Sequence, residues 1–149
     1  MAARRGNFAR LAARDGLEVG ERSHWYDSTP AHEASEWAVE HGGGDAFRRS
    51  VFRAYFVHDR NIGSADVLAE CAAEAGLDGS DLRSALERGT FRDQIASQYA
   101  EARSLGVTAV PTFVAGRYAI VGAQPYEAFC HLMKALDQPA REGGAVPSS

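Results

Sequence analysis

Cysteine is scarce in this chain. Its 149 residues include two, Cys71 and Cys130, far apart, and no Cys-x-x-Cys occurs anywhere. That excludes a disulfide framework and makes a reducing cytoplasm the simpler setting. Basic excess is missing too. The formal net charge is -4, whereas a nucleic-acid footprint is normally basic. No apolar run approaches the roughly 20 residues of a membrane-spanning helix. After Met1-Ala2-Ala3-Arg4-Arg5 no continuous apolar segment follows, so a secretory signal is not expected. His24, His32, His41, His58 and His131 match no zinc-ligand spacing and read as capping or surface residues, with no metal site. There is no internal repeat, and strand character is confined to one stretch.

Most of what is present reads as helix. Residues 1–6 look frayed, and Asn7 is placed to cap a short helix through Arg14. Residues 17–26 are ambiguous, with a weak extended signal. Thr29 reads as an N-cap with Pro30 as the first helical residue. That helix carries Ala34, Trp37, Ala38 and His41 and stops at Gly42-Gly43-Gly44. Asp45 is placed to cap the next, whose Phe47, Val51, Phe52, Tyr55 and Phe56 recur at helical spacing and read as core. Ser64 caps a helix with Val67, Leu68, Cys71, Ala72 and Ala75 inward, ended by Gly76. A turn over 77–80 opens a short helix with Leu82, Ala85 and Leu86, ended by Gly89. The helix from Thr90 to about Leu105 turns Phe91, Ile95, Tyr99, Ala102 and Leu105 inward. Cys71 and Cys130 lie mid-helix on apolar faces and read as small buried hydrophobes.

The strand signal lies in residues 106–125. Val110, Thr112, Phe113 and Val114 precede Ala115-Gly116, a plausible tight turn, and Tyr118, Ile120 and Val121 follow it. Pro111 opens the first strand, where a missing N–H is tolerated. Gly122 ends the second, and Pro125 suits the first turn of a closing helix with Tyr126, Phe129, Cys130, Met133 and Leu136. Residues 138–149 have the composition of a disordered tail.

Helices followed by Val110-Pro111-Thr112-Phe113-Val114, a hairpin, Gly122-Ala123-Gln124-Pro125 and a closing helix resemble the DsbA-like branch of the thioredoxin superfamily, most closely its FrnE-type members. Thr29 with Ala31-His32, Ala54-Tyr55-Phe56, Val67-Leu68 and Ala75-Gly76-Leu77-Asp78 add to the resemblance. It implies an α+β, mostly helical, partial thioredoxin-like fold. Residues 7–137 form the domain, 7–105 its helical part and 106–137 its β-β-α part. It also implies a cis bond before Pro111, the residue type at which a cis bond costs least. The backbone of Val110 would then face an extended peptide or a glutathione-like thiol, with Val110, Pro111 and Thr112 as the binding residues.

The departure from that family is as informative. Full-length relatives begin with a strand, a Cys-x-x-Cys (or a Ser in glutathione-dependent isomerases) at a helix N-terminus, and a second strand. This unit has no counterpart in the chain, so no catalytic residue is assigned. Its redox motif is expected on an upstream segment or another polypeptide. The resemblance implies that the strand from Thr112 pairs with the missing first strand. Its open edge is therefore expected to be covered by a partner, by a second copy, or by residues 17–25. The reading is thus a DsbA/FrnE-like thiol–disulfide oxidoreductase family protein, incomplete here and inactive in redox exchange alone. Its alternatives are a non-catalytic peptide- or partner-binding module and a relative of the 2-hydroxychromene-2-carboxylate isomerases. No cofactor is assigned, although the resemblance admits glutathione.

Overall fold

A computed structural model describes residues 9–10, 12–14, 16–21 and 23–138. Asn7, the frayed start and the tail from residue 139 lie outside the described residues, and Ala9, Arg10 and Ala12 to Arg14 are helical. Five helices follow: α1 (Thr29–Glu40), α2 (Gly44–Phe56), α3 (Ala65–Glu74), α4 (Gly79–Arg88) and α5 (Arg92–Ser104). Then come β1 (Thr112–Ala115), β2 (Tyr118–Val121) and α6 (Tyr126–Ala135). The mostly helical α+β class expected from the sequence is the one observed.

Helix limits follow local chemistry, with corrections of a residue or two. Ser28, not Thr29, is the N-cap of α1, because Asp27 Oδ1 accepts from both the Thr29 N–H at 2.9 Å and its hydroxyl at 2.8 Å. Gly43, not Asp45, caps α2. Asp45 falls inside the first turn and pairs with Arg48 at 2.8 Å, a favourable place for a carboxylate. Asp78 caps α4 by accepting from the N–H groups of Ser80 and Asp81. The close of α4 needs glycine: Gly89 is the C-cap at φ +64. Pro125 is the N-cap of α6 rather than its first residue.

The chain divides into two compact units, Met1–Gln98 and Tyr99–Ser149. The first has a continuous core of Trp37 and Ala38 from α1, Phe47 and Val51 from α2, Leu68, Cys71 and Ala72 from α3, Leu82 and Ala85 from α4, and Phe91. Each fully buried large side chain there contributes about 1.5–3 kcal/mol relative to exposure. Gly79 lets α4 start against α3: a Cβ at that position would lie 2.4 Å from the Ala69 carbonyl oxygen. The aromatic stripe on α2 is not all core. Phe47 is fully buried, Tyr55 and Phe56 are half-buried, and Phe52 is 59% exposed. The described residues among 17–26 form no strand. They are tied down instead by single bonds, such as Gly20 N–H to Phe56 O at 2.9 Å.

The second unit is a hairpin with a helix. β1 and β2 make a two-stranded antiparallel sheet, with Thr112 opposite Val121 and Ala115 opposite Tyr118. The turn is Gly116-Arg117, one residue later than the sequence suggested, and Gly116 takes φ +59, as a two-residue turn of the primed kind demands. α6 lies on the hairpin, with Phe129 edge-on to Phe113 at 4.9 Å between ring centroids. None of the described residues 99–138 is buried. Tyr99 on α5 and Leu105 just past its end, expected inward, are exposed, and so are Tyr126 and Met133 on α6. Cys130 is half-buried rather than buried. The reason is size: a two-stranded sheet with one helix has too few layers to enclose a side chain.

Candidate functional site

The segment between α5 and β1 is irregular and is held by hydrogen bonds at several points. Gly106 leaves α5 at φ +75, and the Val107 N–H returns to the Ala102 carbonyl at 3.0 Å, an end of the Schellman kind. The Val110–Pro111 peptide bond is cis. On one side of it the Thr112 hydroxyl donates to the Ala109 carbonyl at 2.6 Å. On the other the Gly122 N–H donates to the Pro111 carbonyl at 2.8 Å. Thr112 is also the first residue of β1, so the loop is fixed by a side chain and by the strand pair together.

Val110 sits between these anchors. Its side chain is 88% exposed, and among the described residues its N–H and C=O have no hydrogen-bond partner. An exposed, held, unpaired backbone unit can receive another extended chain by main-chain hydrogen bonds. The sequence assigned binding to Val110, Pro111 and Thr112. In the structure Val110 presents backbone, while the Pro111 carbonyl and the Thr112 hydroxyl hold the loop.

Among the described residues neither cysteine makes a recorded contact with the loop. Cys71 belongs to the first unit, is 1% exposed, and burial pushes its thiol pKa up, with the Ser50 hydroxyl partly opposing that shift. Cys130 lies on α6 beside Tyr126, whose phenol it pushes up in pKa through a hydrogen bond. Thiolate chemistry needs a positive environment that favours the anion, the opposite of what burial gives Cys71. Among the described residues no group of three or more His, Cys, Asp or Glu side chains is assembled to hold a metal. His32, read from the sequence as a capping or surface residue, is exposed at a cavity of about 370 Å³ in the first unit, which Phe52, Tyr55, Phe56 and Ile95 also line. Sequence periodicity had assigned those aromatics to the core, because a cavity wall and a core face repeat at the same helical spacing.

The model of the DsbA-like thioredoxin domain matches residues 7–134. The chain belongs to the DsbA-like thioredoxin-domain family. Uncharacterized protein YwbO of Bacillus subtilis (strain 168) is 40% identical over 103 residues, an alignment covering 66% of this chain and 50% of that protein. The crystal structure of a probable DsbA oxidoreductase from Streptomyces coelicolor is similar with a TM-score of 0.79 and 29% identity, covering 99% of this chain and 65% of the other. The chain therefore spans about half of the length of the first of these proteins and 65% of the second.

Proposed function

We propose that this chain is a FrnE-type member of the DsbA-like thiol–disulfide oxidoreductases whose Val110-Pro111-Thr112 loop binds an extended peptide or a glutathione-like thiol, and that it does not exchange dithiols by itself. The observation that carries the reading is the unpaired Val110 backbone, held between the Ala109–Thr112 and Pro111–Gly122 bonds. Gly122-Ala123-Gln124-Pro125 supports the FrnE-type branch. The lack of Cys-x-x-Cys and the buried Cys71 support redox silence. Two unpaired thiols suit a reducing cytoplasm. The exposed Phe113, Val114 and Val121 on a sheet with two free edges support a partner or second copy on the hairpin.

A peptide titration followed by amide-resolved NMR tests the loop: the Val110 and Thr112 amides should shift and saturate. Insulin reduction by the chain alone should stay at the uncatalysed rate. Saturable shifts elsewhere with none at Val110 would overturn the binding reading, and turnover by this chain alone would overturn the redox reading. Mass in solution tests the hairpin edge, since a monomer with both strands fully ordered needs no partner there. A second reading, a non-catalytic binding module, is favoured by the same missing thiol pair. It differs in one outcome: a dithiol-bearing partner polypeptide would restore no exchange.

A further inference from the structure

Three side chains meet where the end of α1 faces the start of α4: Trp37, His41 and Asp81. Trp37 and Asp81 are 44 residues apart in the chain. The indole N–H of Trp37 donates to Asp81 Oδ2 at 3.0 Å, and Trp37 is held in the core. His41 is the C-cap of α1. Its ring stacks on the indole, with centroids 4.3 Å apart and planes 27° from parallel. The stack gives both ring nitrogens set neighbours. Nδ1 lies 2.8 Å from the Trp37 carbonyl oxygen, and Nε2 lies 3.4 Å from Asp81 Oδ2.

Both neighbours can only accept. A carbonyl has no proton to give, and neither has an ionised carboxylate. A neutral imidazole carries one N–H, so it serves one neighbour and turns a lone pair toward the other. With the proton on Nδ1, the Trp37 carbonyl is served and Nε2 faces the carboxylate acceptor to acceptor. With the proton on Nε2, the mismatch moves to the carbonyl at the shorter distance. The imidazolium, with an N–H on each nitrogen, fits both. Two other features favour the cation. His41 stands at the C-terminal end of a helix, where positive charge is stabilised by the last carbonyls. The indole face beneath the ring also attracts a cation. Solvent reaches the pair, since the His41 and Asp81 side chains are 44% and 48% exposed.

We propose that His41 is a proton-operated clasp between α1 and α4, closed on Asp81 as the imidazolium and released from it as the imidazole. The other charges on the helices around it are engaged elsewhere. Asp45 pairs with Arg48 on α2, and Asp66 on α3 pairs with Arg83 on α4. Glu70 and Glu74 on α3 are taken by Arg60 and Ser50. Asp78 gives its carboxylate to the N–H groups of Ser80 and Asp81. Histidine ordinarily changes charge between about pH 5 and 8. A contact made by the protonated form contributes stability in acid and loses it as pH rises through that range. The Trp37–Asp81 bond needs no proton uptake, so the proton adds a second link to a helix pair already joined. The clasp lies in the helical unit and does not rest on the reading of the hairpin loop.

A double-mutant cycle on the full chain, by thermal melts at about pH 5.5 and about pH 8.5, brackets this range. His41→Phe keeps a ring on the indole, and Asp81→Asn keeps a carbonyl acceptor for Trp37 while removing the charge. In acid, His41→Phe should lower the melting temperature by about 2 °C more in the wild-type background than in Asp81→Asn. At the alkaline pH the two losses should be equal. Coupling of the same size at both pH values would mean that the proton does not operate the contact. No coupling at either would mean that the two side chains do not act on each other. Either result overturns the proposal. Ring-nitrogen NMR gives a readout independent of stability: the neutral His41 ring should carry its proton on Nδ1. A neutral ring protonated on Nε2 would overturn the proposal as well.

Discussion

The indole N–H of Trp37 on α1 donates to Asp81 Oδ2 on α4 at 3.0 Å. The His41 ring stacks on the same indole, with centroids 4.3 Å apart, and places Nε2 3.4 Å from that carboxylate oxygen. Its Nδ1 lies 2.8 Å from the Trp37 carbonyl, a contact that requires Nδ1–H, since a carbonyl only accepts. One exposed carboxylate therefore accepts from a buried indole, with the stacked imidazole beside it.

Asp81→Ala leaves the Trp37 N–H without an acceptor in a site that is almost fully buried. The expected loss is about 1–3 kcal/mol, or about 2–4 °C in melting temperature per kcal/mol for a chain of this size. Asp81→Asn keeps a carbonyl acceptor and should lose less. Thermal melts by circular dichroism separate the two; equal melting temperatures for wild type and Asp81→Ala would contradict the role given to this bond.

Gly79→Ala should destabilise, although alanine is ordinarily the better helix former. The new Cβ would lie 2.4 Å from the Ala69 carbonyl oxygen, so α4 must shift off α3. Overpacking of this kind costs about 1–3 kcal/mol. Urea titration gives the sign directly. A stabilised Gly79→Ala would show that the two helices are not in close contact at this point.

Acid should remove part of the helix capping. Asp78 is held below the usual carboxylate range by the Ser80 hydroxyl first, then by the N–H groups of Ser80 and Asp81. Asp27 is held down by the Thr29 N–H first and its hydroxyl second. A carboxyl whose folded pKa is depressed contributes stability above its unfolded pKa and loses it as pH falls through the folded one. The gap in melting temperature between wild type and Asp78→Ala should therefore be full at neutral pH and shrink in acid, below the ordinary carboxylate value. A gap that widened in acid would reverse the sign of this linkage.

The two thiols should differ in reactivity. Cys71 is buried and its pKa is raised by burial, whereas Cys130 is half-buried on α6. A disulfide reagent applied to the native chain should label one thiol, and Cys130→Ser should abolish that labelling until denaturant is added. Fast labelling of both in the native state would mean that α3 opens readily.

The sequence by itself determined where most helices begin and end. Caps such as Asp78 and stops such as Gly89 are local interactions, settled within a few residues of backbone. It also determined the two short strands and the loop at Val110-Pro111-Thr112, because β-branched runs and proline act locally. It did not decide which apolar faces are covered. Phe47 and Phe52 both read as core on α2, yet one is fully buried and the other is open. Tyr99 and Leu105 continue the stripe of Phe91 and Ile95 and are exposed. Helical period marks a face, but only packing supplies the surface opposite it. The meeting of Trp37 and His41 with Asp81 was equally hidden, since Trp37 and Asp81 are 44 residues apart in the chain. Such a juxtaposition is made by two helix ends coming together, and tertiary structure alone decides it.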